Sequence, residues 1–229
     1  MQALCDRPFA VHQMPSVLQI ARWPDRPMRI RIIAVEYVIR EYPIQQGALE
    51  IAYIEEFFNE FPERKTATEI LSRLEDREAQ ILMAEAPLPD DPATVVPVSY
   101  KVSHELCGEE ADPKLADLVE RLRDCVEFTG RRILYNWLGA TRHDWRGQGH
   151  FRALSEEQEV WAVAQGYDEI IVKTKNRYYD MRGALDSLEY NVIKLEPADD
   201  TLESKVYLSK RLGPFVLDAH RSRRTVTRA

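Results

Sequence analysis

Cysteine is scarce. Cys5, Cys107 and Cys125 are the only three in 229 residues, and no two form a Cys-x-x-Cys pair. An odd, sparse set argues against a disulfide framework, so reduced thiols and a cytoplasmic setting are expected. The five histidines show no His-x-x-x-His spacing, which leaves no metal site to expect. No uncharged apolar stretch approaches the ~20 residues that cross a bilayer, and residues 1–10 lack the apolar core of a secretory signal. No membrane partner is therefore expected. An excess of positive charge is missing too. Lys and Arg number 31 against 38 Asp and Glu, a net charge of −7, which speaks against nucleic acid and suits a cationic substrate. Gly-x-Ser-x-Gly, internal repeats and low-complexity segments are all absent. What remains is 45% apolar and 30% charged, the balance of an ordinary globular chain.

Residues 1–28 carry Pro8, Pro15, Pro24 and Pro27, which suits an extended arm rather than a long helix or central strand. A β-branched run over 29–39 predicts the first strand of the main domain, taken as 29–212. Ile51, Ile54, Phe58 and Phe61 then fall at helical spacing until Pro62, and Thr66 with Glu69 marks the capped start of a second helix. Strands over 80–86 and 94–104 flank Pro87, Pro89 and Pro92 as a hairpin. Pro113 opens an inserted helix, 113–126, with an apolar stripe from Leu115 to Val126. The second half reads as strand 131–141, helix 148–165, strand 168–174, helix 178–188 and strands 191–196 and 202–210. A strand–helix–strand unit of that length implies one parallel pair; the rest reads as antiparallel. The fold class is thus mixed α/β: a mostly antiparallel, twisted sheet of six to seven strands with flanking helices. Residues 213–229 hold four arginines against Asp218 and read as a basic, solvated tail.

The segment with most chemical content is Arg146-Gly147-Gln148-Gly149-His150-Phe151, where a strand hands over to a helix. A helix start offers backbone N–H groups without intrahelical acceptors and the positive end of its dipole. Glycines let the turn adopt positive φ and wrap a phosphate. Together these favour a bound anion by roughly 1–2 kcal/mol, and Arg146 adds a charge-assisted contact. The spacing fits neither the nucleoside-triphosphate loop nor the dinucleotide fingerprint.

Set between Trp137-Leu138-Gly139-Ala140 and a helix ending at Gly166-Tyr167, this turn resembles the coenzyme A-binding motif of the Gcn5-related N-acetyltransferases. Lys173-Thr174-Lys175-Asn176 and Glu189-Tyr190 continue the likeness in order, the latter standing where many members have Gly-Phe. Phe151 replaces the small residue that usually closes the motif, and Leu185 stands near where a tyrosine is usual. The resemblance implies an N-acyltransferase that moves an acetyl or longer acyl group from acyl-coenzyme A to an amine by direct attack in a ternary complex. It implies that Arg146, Gly147, Gln148, Gly149, His150 and Phe151 hold the diphosphate. The backbone of Leu138, Gly139, Ala140 and Thr141 would pair with the pantetheine arm and present an N–H to the thioester oxygen, and Asn176 would contact the cofactor. The first helices would wall the acceptor site.

An amine with the ordinary lysine pKa of about 10.4 costs roughly 4.6 kcal/mol to neutralise at pH 7, so a base or water chain is expected. His104 and Glu36 are the candidates. Glu36 shares a strand face with Ile30, Ile32 and Val38, an odd place for a carboxylate that a rim position would equally explain. His104 also reads as an exposed strand histidine, and His143 as a surface loop residue. Tyr178 or Tyr179 would protonate the leaving thiolate, or serve only as packing at a helix start. The acceptor is a small-molecule or peptide amine. A catalytically weak acyl-coenzyme A-binding protein and a homodimer both stay open.

Overall fold

The computed structural model describes residues 12–19, 31–45, 49–57 and 65–227, with side chains described over 37–45, 51–55 and 65–220. Eight strands form one sheet in the order β1-β2-β3-β4-β5-β6-β8-β7. They are β1 (His12–Gln19), β2 (Arg31–Tyr42), β3 (Ala79–Leu88), β4 (Asp91–Leu106), β5 (Ile133–Thr141), β6 (Glu169–Lys175), β7 (Asn191–Glu196) and β8 (Lys205–Arg211). Among the described residues only β5 and β6 pair in parallel; every other ladder there is antiparallel. The proline-bearing arm supplies β1 at the sheet edge, so the count rises to eight. Pro15 is tolerated because an edge strand has one unpaired side.

The helices are α1 (Leu49–Phe57), α2 (Ala67–Leu74), α3 (Pro113–Leu122), α4 (His150–Ala164), α5 (Tyr179–Ser187) and α6 (Pro214–Thr227). The reading of a first helix as far as Phe61 runs beyond Phe57 into residues outside those described. α2 starts on a capping box: Thr66 Oγ1 accepts from the Glu69 N–H at 3.2 Å, and the Glu69 carboxylate accepts from the Thr66 N–H at 3.0 Å. Such a cap contributes about 1 kcal/mol. α3 begins at Pro113 with Asp112 accepting from the Lys114 and Leu115 N–H groups, and it ends at Leu122 rather than at 126.

Strand alternation sends neighbouring residues to opposite faces. On one face, Ile51 and Ile54 of α1 and Ile70 and Leu74 of α2 pack on Ile81, Met83, Tyr100 and Val102. Beside them Leu115, Leu118 and Leu122 of α3 cover Ile133, Tyr135, Ile171 and Tyr207. On the other, α4 and α5 bury Leu134, Ile170, Val172, Val206 and Leu208. Gly166 (φ 79°) follows α4 in the left-handed conformation that glycine allows. After α5 the same conformation falls on Glu189 (φ 67°), which explains why a glycine suits that place.

Two readings are corrected. The last strand begins at Lys205, because Asp200 caps a 3₁₀ turn over Thr201–Glu203 that uses the preceding residues. The basic tail is not a free solvated end: it forms α6, whose Val216 and His220 are buried. His220 Nε2 lies 2.7 Å from Glu159 Oε2 on α4, and Lys210 Nζ donates to the same oxygen at 2.7 Å. A buried carboxylate needs such partners. They outweigh burial and hold the Glu159 carboxyl below its ordinary pKa.

Candidate functional site

β5 pairs with β4 along its whole length, through Ser99↔Thr141, with one interruption. The register passes from Val102↔Leu138 to Ser103↔Asn136, so Trp137 is an extra residue, a β-bulge that turns the strand. On the opposite edge, β5 pairs with β6 from Ile133↔Glu169 only as far as Asn136↔Val172. Yet β5 continues to Thr141 and β6 to Lys175, where β6 still pairs with β8. Beyond Asn136 and Val172 the facing edges have no ladder between them. The two parallel strands open as a wedge, with Gly139 exposed along it. A strand edge of this kind presents ready hydrogen-bonding groups to an extended ligand.

The chain leaves β5 through a 3₁₀ turn, His143–Trp145, and enters α4 across Gly147 (φ 73°) and Gly149 (φ 82°). Side chains strain such a backbone, whereas glycine adopts it freely. A Cβ added at Gly147 would meet nothing within 4 Å, so glycine is there for conformation rather than room. Gly149 is the N-cap of α4, and no side chain caps that end. Its first-turn amides therefore remain available to an anion. Arg146 is exposed, and its Nε donates to the Thr141 carbonyl at 3.2 Å, which ties the loop to the end of β5.

Only the backbones of Gln148, His150 and Phe151 fit the anion site. Gln148 is buried. His150 packs edge-on against Tyr37 at 4.5 Å with its Nδ1 3.3 Å from the Trp145 carbonyl oxygen, and burial lowers its pKa. The Phe151 ring packs against the core under α4, 4.9 Å from the Lys101 ammonium, so it is turned into the sheet rather than across the amides. Asn176 is engaged elsewhere: its Nδ2 donates to the Thr201 carbonyl at 3.1 Å and its Oδ1 accepts from Arg182.

His104 is fully buried, not exposed. β4 places it beside Tyr135 (5.5 Å) and Trp137 (5.8 Å) on the face of α1, α2 and α3, because its neighbours Val102 and Leu106 are core residues of that face. Its Nδ1 lies 2.7 Å from the Glu105 carbonyl oxygen, its Nε2 has no partner, and burial pushes its pKa down to about 4. The Glu36 backbone pairs with Gln13, while its side chain lies outside the described residues. Tyr178 precedes α5 and accepts from Arg177 at 3.1 Å; Tyr179 is exposed. His143 is exposed and Leu185 is core.

Four polar residues at the wedge escaped the sequence reading. Ser99, Lys101 and Ser103 alternate with Val98, Tyr100 and Val102, a pattern that signals a solvent face. Here α4 covers that face. Lys101 Nζ donates to Ser155 Oγ at 2.8 Å, and burial lowers its pKa to about 7 against the opposing pull of Glu159. Asn136, in register with Ser103, is the fourth. In α4 their partners Ser155 and Glu159 fall in the polar run Ser155-Glu156-Glu157-Gln158-Glu159, which itself reads as a solvated face, so the sequence carries no signal for this burial.

No family model matches the sequence, and no curated protein matches it. Solved structures do. Arabidopsis thaliana NAA60, in complex with a bisubstrate analogue, aligns with a TM-score of 0.58 at 10% identity over 76% of this chain and 99% of its own. The NatC complex bound to Gag peptide and CoA aligns at 0.57 and 15% identity, over 77% and 99%. The Salmonella typhimurium protein yncA, with its cofactor acetyl-CoA, aligns at 0.53 and 13% identity, over 78% and 95%. This is the Gcn5-related N-acetyltransferase fold. The expected fold class stands. Among the described residues no group of His, Cys, Asp or Glu is arranged to hold a metal ion, and no helix is long and apolar enough to cross a membrane.

Proposed function

We propose that the chain is an acyl-coenzyme A-dependent N-acyltransferase that moves an acetyl or longer acyl group onto a primary amine. One observation carries this reading: the β5–β6 wedge opens beside an α4 N-terminus whose amides no side chain caps. The unpaired edge of Leu138–Thr141 suits the amide-bearing pantetheine arm, and the amides from Gly147 to Phe151, with Arg146, suit the diphosphate. Acyl-coenzyme A, as co-substrate, supplies an activated thioester. The chain's residues have the remaining work of aligning it with the amine, which in general supplies about 7–11 kcal/mol of the barrier. A backbone N–H near Leu138, adjoining the bulge, would meet developing negative charge on the carbonyl oxygen. His104, sealed in the core and with its pKa held at about 4, is too weak a base to take the amine's proton. Tyr178, in contact with the Arg177 guanidinium, is the candidate acid for the leaving thiolate. Asn176 supports the β6–α5 turn.

A second reading makes the acceptor a peptide or protein amine. It draws on the NatC complex bound to Gag peptide, among the structures this fold resembles, and on inserted α3, which would extend a docking face. The test mixes the protein and acetyl-coenzyme A with panels of small amines and of peptides bearing free N-termini, and reads free thiol. Amine-dependent thiol release supports the reading, and the panel that responds names the acceptor class. Coenzyme A binding with no release on any amine or acyl length would instead assign a catalytically inactive acyl-coenzyme A-binding protein.

A further inference from the structure

Asn136 is the last residue of β5 that is laddered to β6, so it stands at the closed apex of the wedge. Alternation with Leu134, and its register partner Val172, place it on the face covered by α4 and α5. It is 5% exposed, and its Nδ2 has no hydrogen-bond partner. Directly across β4, in register, the Ser103 hydroxyl is fully buried and likewise without a partner. A buried donor left unmatched costs about 1–3 kcal/mol, and native folds rarely keep one without a use. Two such groups side by side, at the one point where the sheet opens, suit a ligand atom that arrives there.

An extended arm laid along β5 from Thr141 toward Asn136 covers about 17 Å, at the usual strand rise. With the diphosphate at the α4 N-terminus, such an arm would carry its reactive end to the apex. We propose that the Asn136 side-chain amide donates a hydrogen bond to the acyl carbonyl oxygen of the bound thioester, with Ser103 as its neighbour, which makes Asn136 a catalytic residue. The assignment rests on the acyltransferase reading above. It adds a side-chain donor that acts only when an acyl group is present, beside the backbone N–H near Leu138 that would meet the same oxygen.

The test is infrared difference spectroscopy of acetyl-coenzyme A carrying a ¹³C-labelled carbonyl, bound to the unaltered protein, to Asn136→Ala and to Asn136→Leu, which is similar in volume but has no donor. A donated hydrogen bond lowers the carbonyl stretching frequency. The expected result is a lowered frequency in the unaltered protein that returns toward the free value in both variants. The preference for acetyl-coenzyme A over coenzyme A should fall about tenfold with it. Asn136→Leu keeps much the same volume without any donor and serves where the alanine variant fails to fold. The same frequency in protein and variant overturns the assignment while leaving the acyltransferase reading intact. Failure of the unaltered protein to bind acetyl-coenzyme A at all overturns both.

Discussion

At the scale of single residues, burial governs which protons this protein carries. Lys101 on β4 is sealed under α4 with Ser155 as its hydrogen-bond partner, and its pKa falls to about 7. In the unfolded chain the same ammonium keeps its proton to about 10.4. Between those values the unfolded state binds more protons, so stability rises with pH across that window. The slope reaches at most about 1.4 kcal/mol per pH unit. Denaturant melts of the protein and of Lys101→Met from pH 7 to pH 10 should show the slope in the first and its loss in the second. His104 acts the same way lower down. Held at about 4 when folded and near 6.5 unfolded, it makes stability fall as pH drops through that interval, and His104→Gln should flatten that acid limb. Neither residue's burial was legible in the sequence. Strict alternation of polar with apolar residues means a solvated face unless another element covers it, and only the packed helix reveals the cover.

At the scale of elements, the sequence was most informative where local chemistry decides. The Thr66–Glu69 capping box, Pro113 at the start of α3 and the positive φ of Gly166 all appeared where those residue types predict. The glycine turn before α4 belongs to the same class. Gly149→Ala forces a side chain into φ 82° and should cost about 1–2 kcal/mol of stability; it should also weaken acyl-coenzyme A binding, read by calorimetry beside thermal unfolding. The C-terminal helix belongs to the opposite class. Its arginines suggested a solvated tail, whereas Val216 and His220 dock it on α4 through a long-range contact with Glu159. Glu159→Gln removes a buried charge from between Lys210 and His220 and should destabilise by about 3–5 kcal/mol. A chemical denaturation midpoint within error of the unaltered protein would show that the cluster holds nothing in place.

At the scale of the whole molecule, the order of strands and helices was readable because hydrophobic period changes cleanly from two to 3.6 along the chain. Strand pairing was less so. The bulge at Trp137 and the point where β5 parts from β6 depend on partners distant in sequence, and those two features create the wedge. The central claim is that this wedge and the amides before α4 bind one ligand together. Amide hydrogen exchange with and without saturating acetyl-coenzyme A tests it most directly. The account predicts added protection at both Leu138–Thr141 and Gly147–Phe151. Protection at neither stretch, or only on surfaces away from the wedge, would contradict it.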